Sequence, residues 1–317
     1  MTKEAVLYDL IDVSDPEIVL TEIEQILGLT VEGYDPSKLE MVYGDIVTLF
    51  RGKYPGYQAS NTKYHDLEHT NSVALAAARL IHGCTLAGMA FHVDNLLLGV
   101  YAALFHDVGL IQTKDDKVGS GAKYTVGHEK RSIVFMRKYL SQKGFPVQQI
   151  DDCSHLIMCT ILNLPPKEIP FRSPEIETLG KIVGTADLMA QIADRYYIEK
   201  LLLLFQEFQE AGVPDFATEL DLLKKTEGFY KNVAKQRLVH DFSGISTNMR
   251  AHFKQRWGVE KDLYSESIQK NIEYLRTLLE RAGDSIVSVR ETLKRGVFHT
   301  NGNDKSDHKT GRWIKGD

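Results

Sequence analysis

Helical periodicity is the feature of this sequence that most restricts its fold. Long segments carry apolar residues at three- and four-residue spacing, short joints rich in Gly, Pro or Asn separate them, and alternating runs of β-branched residues are nearly absent. Near the end of the chain, one such stripe predicts a helix that packs on the core. It consists of Tyr264, Ile268, Ile272, Leu275 and Leu279. The sequence therefore predicts an all-α fold, a compact bundle of many helices.

Composition and charge restrict the partners of this chain. Of its 317 residues, 43% are hydrophobic and 26% are charged, which is typical of a globular protein with a sizeable core. The net charge of -5 provides no basic face for nucleic acid or for an anionic membrane. We therefore expect a small-molecule substrate, no nucleic acid partner and no membrane. The composition leaves the oligomeric state open.

The distribution of apolar residues predicts a cytoplasmic location. The first residues mix acidic with apolar side chains, unlike a secretory signal. The apolar runs 96–105 and 201–205 are shorter than the roughly 18 to 20 residues that span a bilayer, so we interpret them as buried helices. Three cysteines lack the spacing of a metal site and are predicted to be buried thiols. They are Cys84, Cys153 and Cys159.

The segment YHDLEH contains the first candidate site residues. His65 and His69 are four residues apart, so a helix that begins here would place both imidazoles on one face. The spacing alone is a weak signal because the chain has 11 histidines, and two surface histidines would produce the same pattern.

Two further segments place carboxylates in apolar surroundings. His106 and Asp107 directly follow the run LLLGVYAALF, and Asp187 lies within KIVGTADLMAQIA. A buried carboxylate without a partner costs several kcal/mol, and no neighbouring Arg or Lys supplies a salt bridge to Asp107. A bound cation is therefore the natural partner of these side chains.

Together these residues predict a metal site formed by His69, His106, Asp107 and Asp187. Two imidazoles and two carboxylates suit Zn, Mn, Fe, Ni or Mg, and the sequence does not choose among these metals or between one ion and two. A carboxylate shared by two cations would place a water between them, and the lowered pKa of that water makes it a nucleophile. Hydrolysis of a phosphate ester by metal-bound hydroxide is the predicted reaction, with His65 as the candidate proton donor.

The order of these residues along predicted helices resembles the HD superfamily of metal-dependent phosphohydrolases. Within it, the chain is most similar to the catalytic domain of cyclic nucleotide phosphodiesterases, whose tyrosine-histidine-asparagine motif resembles the segment from Tyr64 to Asp66. In that family the first histidine, here His65, is the proton donor, and the second, here His69, is a metal ligand. Asp107 matches the bridging aspartate, and Asp187 matches the aspartate of an alanine-aspartate-leucine motif.

The resemblance implies further site residues with less specific motifs. GHEKRSIVFM is similar to a histidine-bearing helix of the family, which makes His128 either a support for the ligands or a ligand of a second metal ion. His128 is also compatible with a cap at a helix start after Gly127. FQEFQEAG resembles a Glu-Phe segment that follows the last ligand. Phe229 matches the phenylalanine that stacks on the purine, and Tyr64 and Thr226 complete the predicted substrate pocket.

Two departures from the family pattern affect the predicted substrate. The family has an aspartate and a histidine at the positions of Gly109 and Leu110, so the surroundings of a second metal must differ. Thr226 replaces the glutamine that holds the edge of the purine. The resemblance therefore implies a nucleotide phosphodiesterase whose base selectivity differs from that of the family.

The resemblance also divides the chain. Residues 60–240 are predicted to form the HD phosphohydrolase core, with N-terminal helices in 1–59 packed on it and C-terminal helices in 241–298. Residues 299–317 are predicted to be a disordered tail. The regulatory role of the segments outside the core is left open.

Three other functions stay open at this stage. One is a nucleotide phosphomonoesterase, and another is a metal-containing nucleotide sensor without turnover. A third is a di-iron HD oxygenase, which needs more histidine ligands and would have to recruit His155. That residue is equally compatible with a buried position in an apolar helix.

Overall fold

The computed structural model describes residues 5–293, and these residues confirm the all-α fold. They contain thirteen α-helices and no β-strand. The α-helices are α1 Leu7–Leu10, α2 Pro16–Thr30, α3 Ser37–Phe50, α4 Leu67–Leu86, α5 Val93–Phe105, α6 His128–Gln142, α7 Val147–Met158, α8 Pro174–Ala193, α9 Tyr197–Glu210, α10 Glu219–Phe229, α11 Met249–Trp257, α12 Leu263–Ala282 and α13 Ile286–Thr292. The predicted disordered tail, 299–317, lies outside the described residues.

Short helical turns complete the chain between these helices. Four of them are 3-10 helices, at Val108–Leu110, Gly121–Tyr124, Pro166–Glu168 and Ile245–Asn248. Two π-helical turns, Tyr230–Ala234 and Arg237–Asp241, follow α10.

The central helix of the bundle is α4, which contacts α2, α5, α8 and α11. Its middle section is buried on every side, and the small side chains of Ala76, Ala77 and Ala78 let the neighbouring helices approach closely. Asp66 begins the helix, because its carboxylate accepts a hydrogen bond from the backbone N–H of His69 at 2.8 Å. This cap fixes His69 in the first turn of the central helix.

The apolar run of α5 lies inside the bundle. Including the turn that follows it, the window Val93–Leu110 is long and apolar enough to cross a membrane, but 83% of it is buried among the described residues. Such burial is typical of a core helix, because a lipid-facing helix would leave its apolar surface uncovered by protein. The helix ends at Phe105, so His106 and Asp107 lie where the buried helix meets the 3-10 helix Val108–Leu110.

Helices from both ends of the chain pack on this centre. The N-terminal helices α2 and α3 contact α4 and α5, while α11 and α12 contact α4 and α8. The predicted division at residues 59 and 240 stays a prediction. The three cysteines are buried, as expected.

Candidate metal centre

Three buried side chains from α4 and the end of α5 meet inside the bundle. His69, His106 and Asp107 each offer one ligand atom, and these atoms lie within 4.8 Å of one another. The Nε2 atoms of the two histidines are 3.4 Å apart. Asp107 Oδ2 lies 3.1 Å from His106 Nε2 and 3.5 Å from His69 Nε2. The group can therefore hold a metal ion.

Asp187 lies at the border of this group. Its Oδ1 is 3.5 Å from His69 Nε2 and 3.7 Å from His106 Nε2, and its side chain is 19% exposed. Helix α8 provides this residue, and α8 packs directly on α4. The position agrees with the predicted fourth ligand, while its binding to a metal stays a prediction.

The spacing of these atoms fits one divalent ion. Adjacent ligands around an ion at about 2.1 Å are about 3.0 to 3.4 Å apart, depending on whether the geometry is octahedral or tetrahedral. The distances given above range from 3.1 to 3.7 Å. Asp107 Oδ2 is also buried without a hydrogen-bond partner, which a coordinated cation would remedy. The residues present therefore fit a metal ion.

The electrostatics of His106 and Asp107 depend on each other. Burial disfavours the charged form of both side chains, but their proximity outweighs it. The pKa of His106 rises to about 9, chiefly through the charge of Asp107, and the pKa of Asp107 falls well below its usual range. The buried centre thus attracts positive charge, either a proton on His106 or a cation.

The Nδ1 atoms of His106 and His128 are held by backbone carbonyl oxygens. The Nδ1 atom of His106 is 2.7 Å from the carbonyl oxygen of Ala103, and Nδ1 of His128 is 2.7 Å from that of Thr125. Donation of the Nδ1 proton to a carbonyl leaves Nε2 as the basic atom of each ring. Local backbone contacts therefore select the tautomer that a metal ligand needs.

His128 contacts the second carboxylate oxygen of Asp107. Its Nε2 is 3.1 Å from Asp107 Oδ1, whereas Oδ2 of the same carboxylate faces His69 and His106. The nearby carboxylate overcomes the effect of burial and raises the pKa of His128 to about 9. The two oxygens of Asp107 thus face two separate sets of nitrogen atoms, as a bridging carboxylate would.

His65 lies beside the centre. Its ring centroid is 6.0 Å from that of His69 and 5.8 Å from that of His128. Its Nδ1 is 2.7 Å from Oε2 of Glu207 on α9. The other carboxylate oxygen of Glu207 accepts two backbone hydrogen bonds. The donors are the N–H groups of Lys63, at 2.8 Å, and of Tyr64, at 2.7 Å. Glu207 therefore fixes the ring and the chain segment that carries it.

Glu207 is the residue of this region to which the sequence assigned no role. It lies in the segment FQEFQEAG, which resembles the family but contains two glutamates. Glu207 is 4% exposed, and Glu210 instead contacts Ser120. The amphipathic pattern of α9 places Glu207 on the buried face, and that pattern was the available signal.

The remaining predicted residues lie away from the ligand atoms or have other partners. Tyr64 is buried against the rings of His65 and His69. Thr226 is 3% exposed, and its hydroxyl donates to the carbonyl oxygen of Leu222 in its own helix. Phe229 ends α10 and packs partly buried on the core. The predicted substrate contacts of these residues stay predictions.

His155 occupies a position on α7. Its ring edge contacts Phe171 at a centroid distance of 6.3 Å, and its Nδ1 is buried without a hydrogen-bond partner. None of its contacts involves the group formed by His69, His106 and Asp107. These contacts agree with the interpretation of His155 as a residue of an apolar helix.

Comparison with protein-family models and with curated proteins returns no match for this chain. The helical fold and the His-His-Asp group are compatible with an HD-type domain.

Proposed function

We propose that this chain is a metal-dependent phosphohydrolase that hydrolyses a phosphodiester bond of a nucleotide, cyclic nucleotides included. One observation carries the proposal: a buried group able to hold a cation lies beside His65, whose ring Glu207 holds at 2.7 Å. A cation and a positioned proton donor are the two parts that this hydrolysis needs. The resemblance to HD phosphohydrolases supports the same reaction.

His69, His106 and Asp107 would hold the metal ion, with Asp187 as the fourth ligand. When bound, a divalent cation polarises the phosphoryl oxygens and lowers the pKa of a coordinated water. The chain itself orients these ligands through the cap of α4 and through the carbonyl oxygen of Ala103.

His65 would supply the proton for the leaving oxygen. With Nδ1–H donating to Glu207, the ring presents Nε2 as the second proton-bearing atom. The Glu207 carboxylate orients the ring for the transfer, and the backbone N–H groups of Lys63 and Tyr64 keep that carboxylate in place. When the ester bond breaks, the proton moves from Nε2 to the departing oxygen.

A screen of the purified, metal-analysed protein tests this proposal. The substrates are cyclic nucleotides, nucleoside mono- and polyphosphates and bis-p-nitrophenyl phosphate, with Asp107→Ala as the matched inactive control. We expect a nucleoside monophosphate as the product from a cyclic nucleotide. Release of inorganic phosphate from monophosphates alone would make the protein a phosphomonoesterase. Nucleotide binding without any turnover would make it a sensor, and oxygen consumption would indicate the di-iron oxygenase.

A further inference from the structure

A cavity of about 540 Å³ lies between the N-terminal residues 7–14 and the helices α4, α8 and α12. Among the described residues that line it, none is one of the four predicted metal ligands. Its volume falls within the roughly 300 to 1,000 Å³ that small-molecule sites occupy. The cavity is therefore large enough for a ligand and separate from the candidate metal centre.

Arg79 is the most deeply buried charged side chain of this lining, at 2% exposed. Its Nη1 donates to the hydroxyl of Tyr264 at 3.2 Å, whereas Nε and Nη2 are buried without a hydrogen-bond partner. No carboxylate within residues 5–293 forms an ion pair with this guanidinium. The rings of Phe253 and Tyr264 lie 5.6 and 5.9 Å from it, but a ring face is a weak acceptor. A buried arginine with this environment lacks an anion.

Two other arginines show how this chain satisfies a guanidinium. Nε and Nη2 of Arg172 hold the buried carboxylate of Asp152, at 3.0 and 2.7 Å from its Oδ2. Arg237, which is as buried as a core residue, donates to three backbone carbonyl oxygens. In Arg79 the two nitrogens without a partner are Nε and Nη2, the same edge that binds a carboxylate in Arg172. A carboxylate therefore fits the open edge of Arg79.

The charge of Arg79 is not balanced by its neighbours. Burial, followed by the charge of Arg79, lowers the pKa of His252 to about 2, so this imidazole is a neutral neighbour. Arg256 is also close, but its Nη2 is 2.9 Å from Oε2 of Glu22 and is thus paired. The unbalanced positive charge at this end of α4 therefore belongs to Arg79 and attracts an anion.

The rest of the lining restricts the charge of that anion. Four further carboxylates line the cavity, and all are more exposed than Arg79. They belong to Asp9, Asp12, Glu68 and Asp194. Arg195 also lines the cavity, and Lys200 pairs with Asp194 at 2.6 Å, so negative charges still outnumber positive ones outside Arg79. This surplus disfavours phosphates and other polyanions, because like charges repel. A single negative charge is the better match.

Apolar side chains determine the body of the ligand. Residues 7–14 contribute Leu7, Ile11 and Val13 to the lining, and α8 contributes Ala190 and Ala193. We propose that this cavity binds an organic monocarboxylate with an apolar body, whose carboxylate pairs with Nε and Nη2 of Arg79. Two parallel N–H groups on one edge of a guanidinium match the two oxygens of a carboxylate. The apolar body then lies along the side chains of residues 7–14 and α8.

Calorimetric titration with straight-chain carboxylates, from acetate to octanoate, tests the proposal on the purified protein. The comparison probes are the alcohol of each length and inorganic phosphate. We expect the affinity to rise about fourfold for each added methylene until the cavity is filled, since each contributes similarly when buried. The alcohols should bind about 10- to 100-fold more weakly than the carboxylates, which is the effect of losing hydrogen bonds that join charged groups. Phosphate should bind more weakly than octanoate.

A matched pair of variants assigns the binding to Arg79. Arg79→Met keeps the length of the side chain but removes the guanidinium, and it should weaken octanoate binding by about 10- to 100-fold. Arg237→Met is the control, because it removes a buried guanidinium that has its own backbone partners. It should lower the midpoint of thermal unfolding and leave the affinity for octanoate unchanged.

A second variant fills the cavity without changing the arginine. Ser72 lines the cavity from α4, and its hydroxyl donates only to the carbonyl oxygen of Glu68 in its own helix. Ser72→Phe adds a ring to this wall and should abolish octanoate binding. Should Arg79→Met not fold, this variant decides the outcome.

The proposal is wrong if no carboxylate binds, if carboxylates and alcohols bind equally, or if phosphate binds more tightly than octanoate. Unchanged octanoate affinity in Arg79→Met, or in a folded Ser72→Phe protein, would also overturn it. The proposed hydrolysis is a separate question. A protein that hydrolyses nothing but binds octanoate through Arg79 would support this inference, and an active enzyme that binds no carboxylate would exclude it.

Discussion

Two pairs of buried imidazoles occupy opposite ends of the central helix α4. At its first turn, Nε2 of His69 lies 3.4 Å from Nε2 of His106. Near its end, Nδ1 of His82 lies 3.0 Å from Nδ1 of His252 on α11. All four side chains are buried, and both pairs join α4 to a neighbouring part of the bundle.

The charges around the two pairs are opposite. Asp107 lies beside the first pair and raises the pKa of His106 to about 9 despite its burial. At the second pair, burial lowers the pKa of His252 to about 2, and the positive charges of Arg79 and Arg256 act in the same direction. Identical side chains at similar depth therefore suit a cation at one end of the helix and exclude it at the other. The neighbouring charges, and not the histidines, make the difference.

Removal of the carboxylate should abolish this difference and has the largest expected effect. We expect Asp107→Ala to lose both metal retention and activity, because the two oxygens of Asp107 serve the two sets of nitrogen atoms. Mass spectrometry of the metal content measures the result. Asp152→Ala is the control, since it removes a buried carboxylate that pairs with Arg172 instead. A full metal load in Asp107→Ala would show that the bridging assignment is wrong.

Only the pair formed by His69 and His106 should have a proton donor beside it, and this donor is His65. We expect His65→Ala to keep its metal and to lose about 10² to 10⁴ in rate, because a general acid and not a ligand is removed. The loss should shrink for p-nitrophenyl esters, whose leaving group needs little protonation. Glu207→Gln should reproduce part of the loss, since it removes the carboxylate that holds the His65 ring. Equal losses on alkyl and p-nitrophenyl diesters would exclude the general-acid role.

The second pair should make the fold sensitive to acid. The folded-state pKa of His252 lies below its unfolded value of about 6.5, so the unfolded chain binds the proton first and stability falls as the pH falls below that value. Between about pH 7.5 and about pH 5, this one site should cost about 2 kcal/mol. His252→Gln, which cannot titrate, should reduce the difference between the urea midpoints at the two pH values. The ion pair between Glu22 and Arg256 is present in the unaltered protein and in His252→Gln, so it does not account for a change. If the two urea midpoints differ as much in His252→Gln as in the unaltered protein, His252 is not the titrating group.

The last expected effect changes only substrate affinity and concerns a residue that belongs to neither pair. If Phe229 stacks on the base, Phe229→Ala should raise the Michaelis constant for every nucleotide by about 5- to 150-fold, the value of about 1 to 3 kcal/mol for one base-aromatic contact. The turnover number and the metal content should stay unchanged. Phe216→Ala is the matched control, because Phe216 is a partly buried aromatic that stacks on Phe208 and has no predicted role in the site. Unchanged Michaelis constants in Phe229→Ala would favour a substrate held mainly through its phosphate.

Sequence by itself determined the helical fold and the residues that form the candidate centre. The spacing of apolar residues predicts helices because it shows which face of each helix is buried. Asp107 and Asp187 were identified as candidate ligands because their sequence neighbours are apolar. The structure confirms the fold and brings His69, His106 and Asp107 together. The exact start of α5 comes from the structure, where the helix begins at Val93 and the ring nitrogen of His92 accepts a hydrogen bond from the backbone N–H of Asp94.

Tertiary structure alone decided the partners of His65 and His252. Glu207 reaches His65 across 142 positions of the chain, and His252 reaches His82 across 170. The missing side chain of Gly109 lets the start of α6 approach closely, since a Cβ there would lie 2.1 Å from the carbonyl oxygen of His128. Such contacts depend on the separation of helices to within about an ångström, which local propensity does not encode. A linear pattern indicates that a side chain is buried, whereas the packing of distant segments decides what it is buried against.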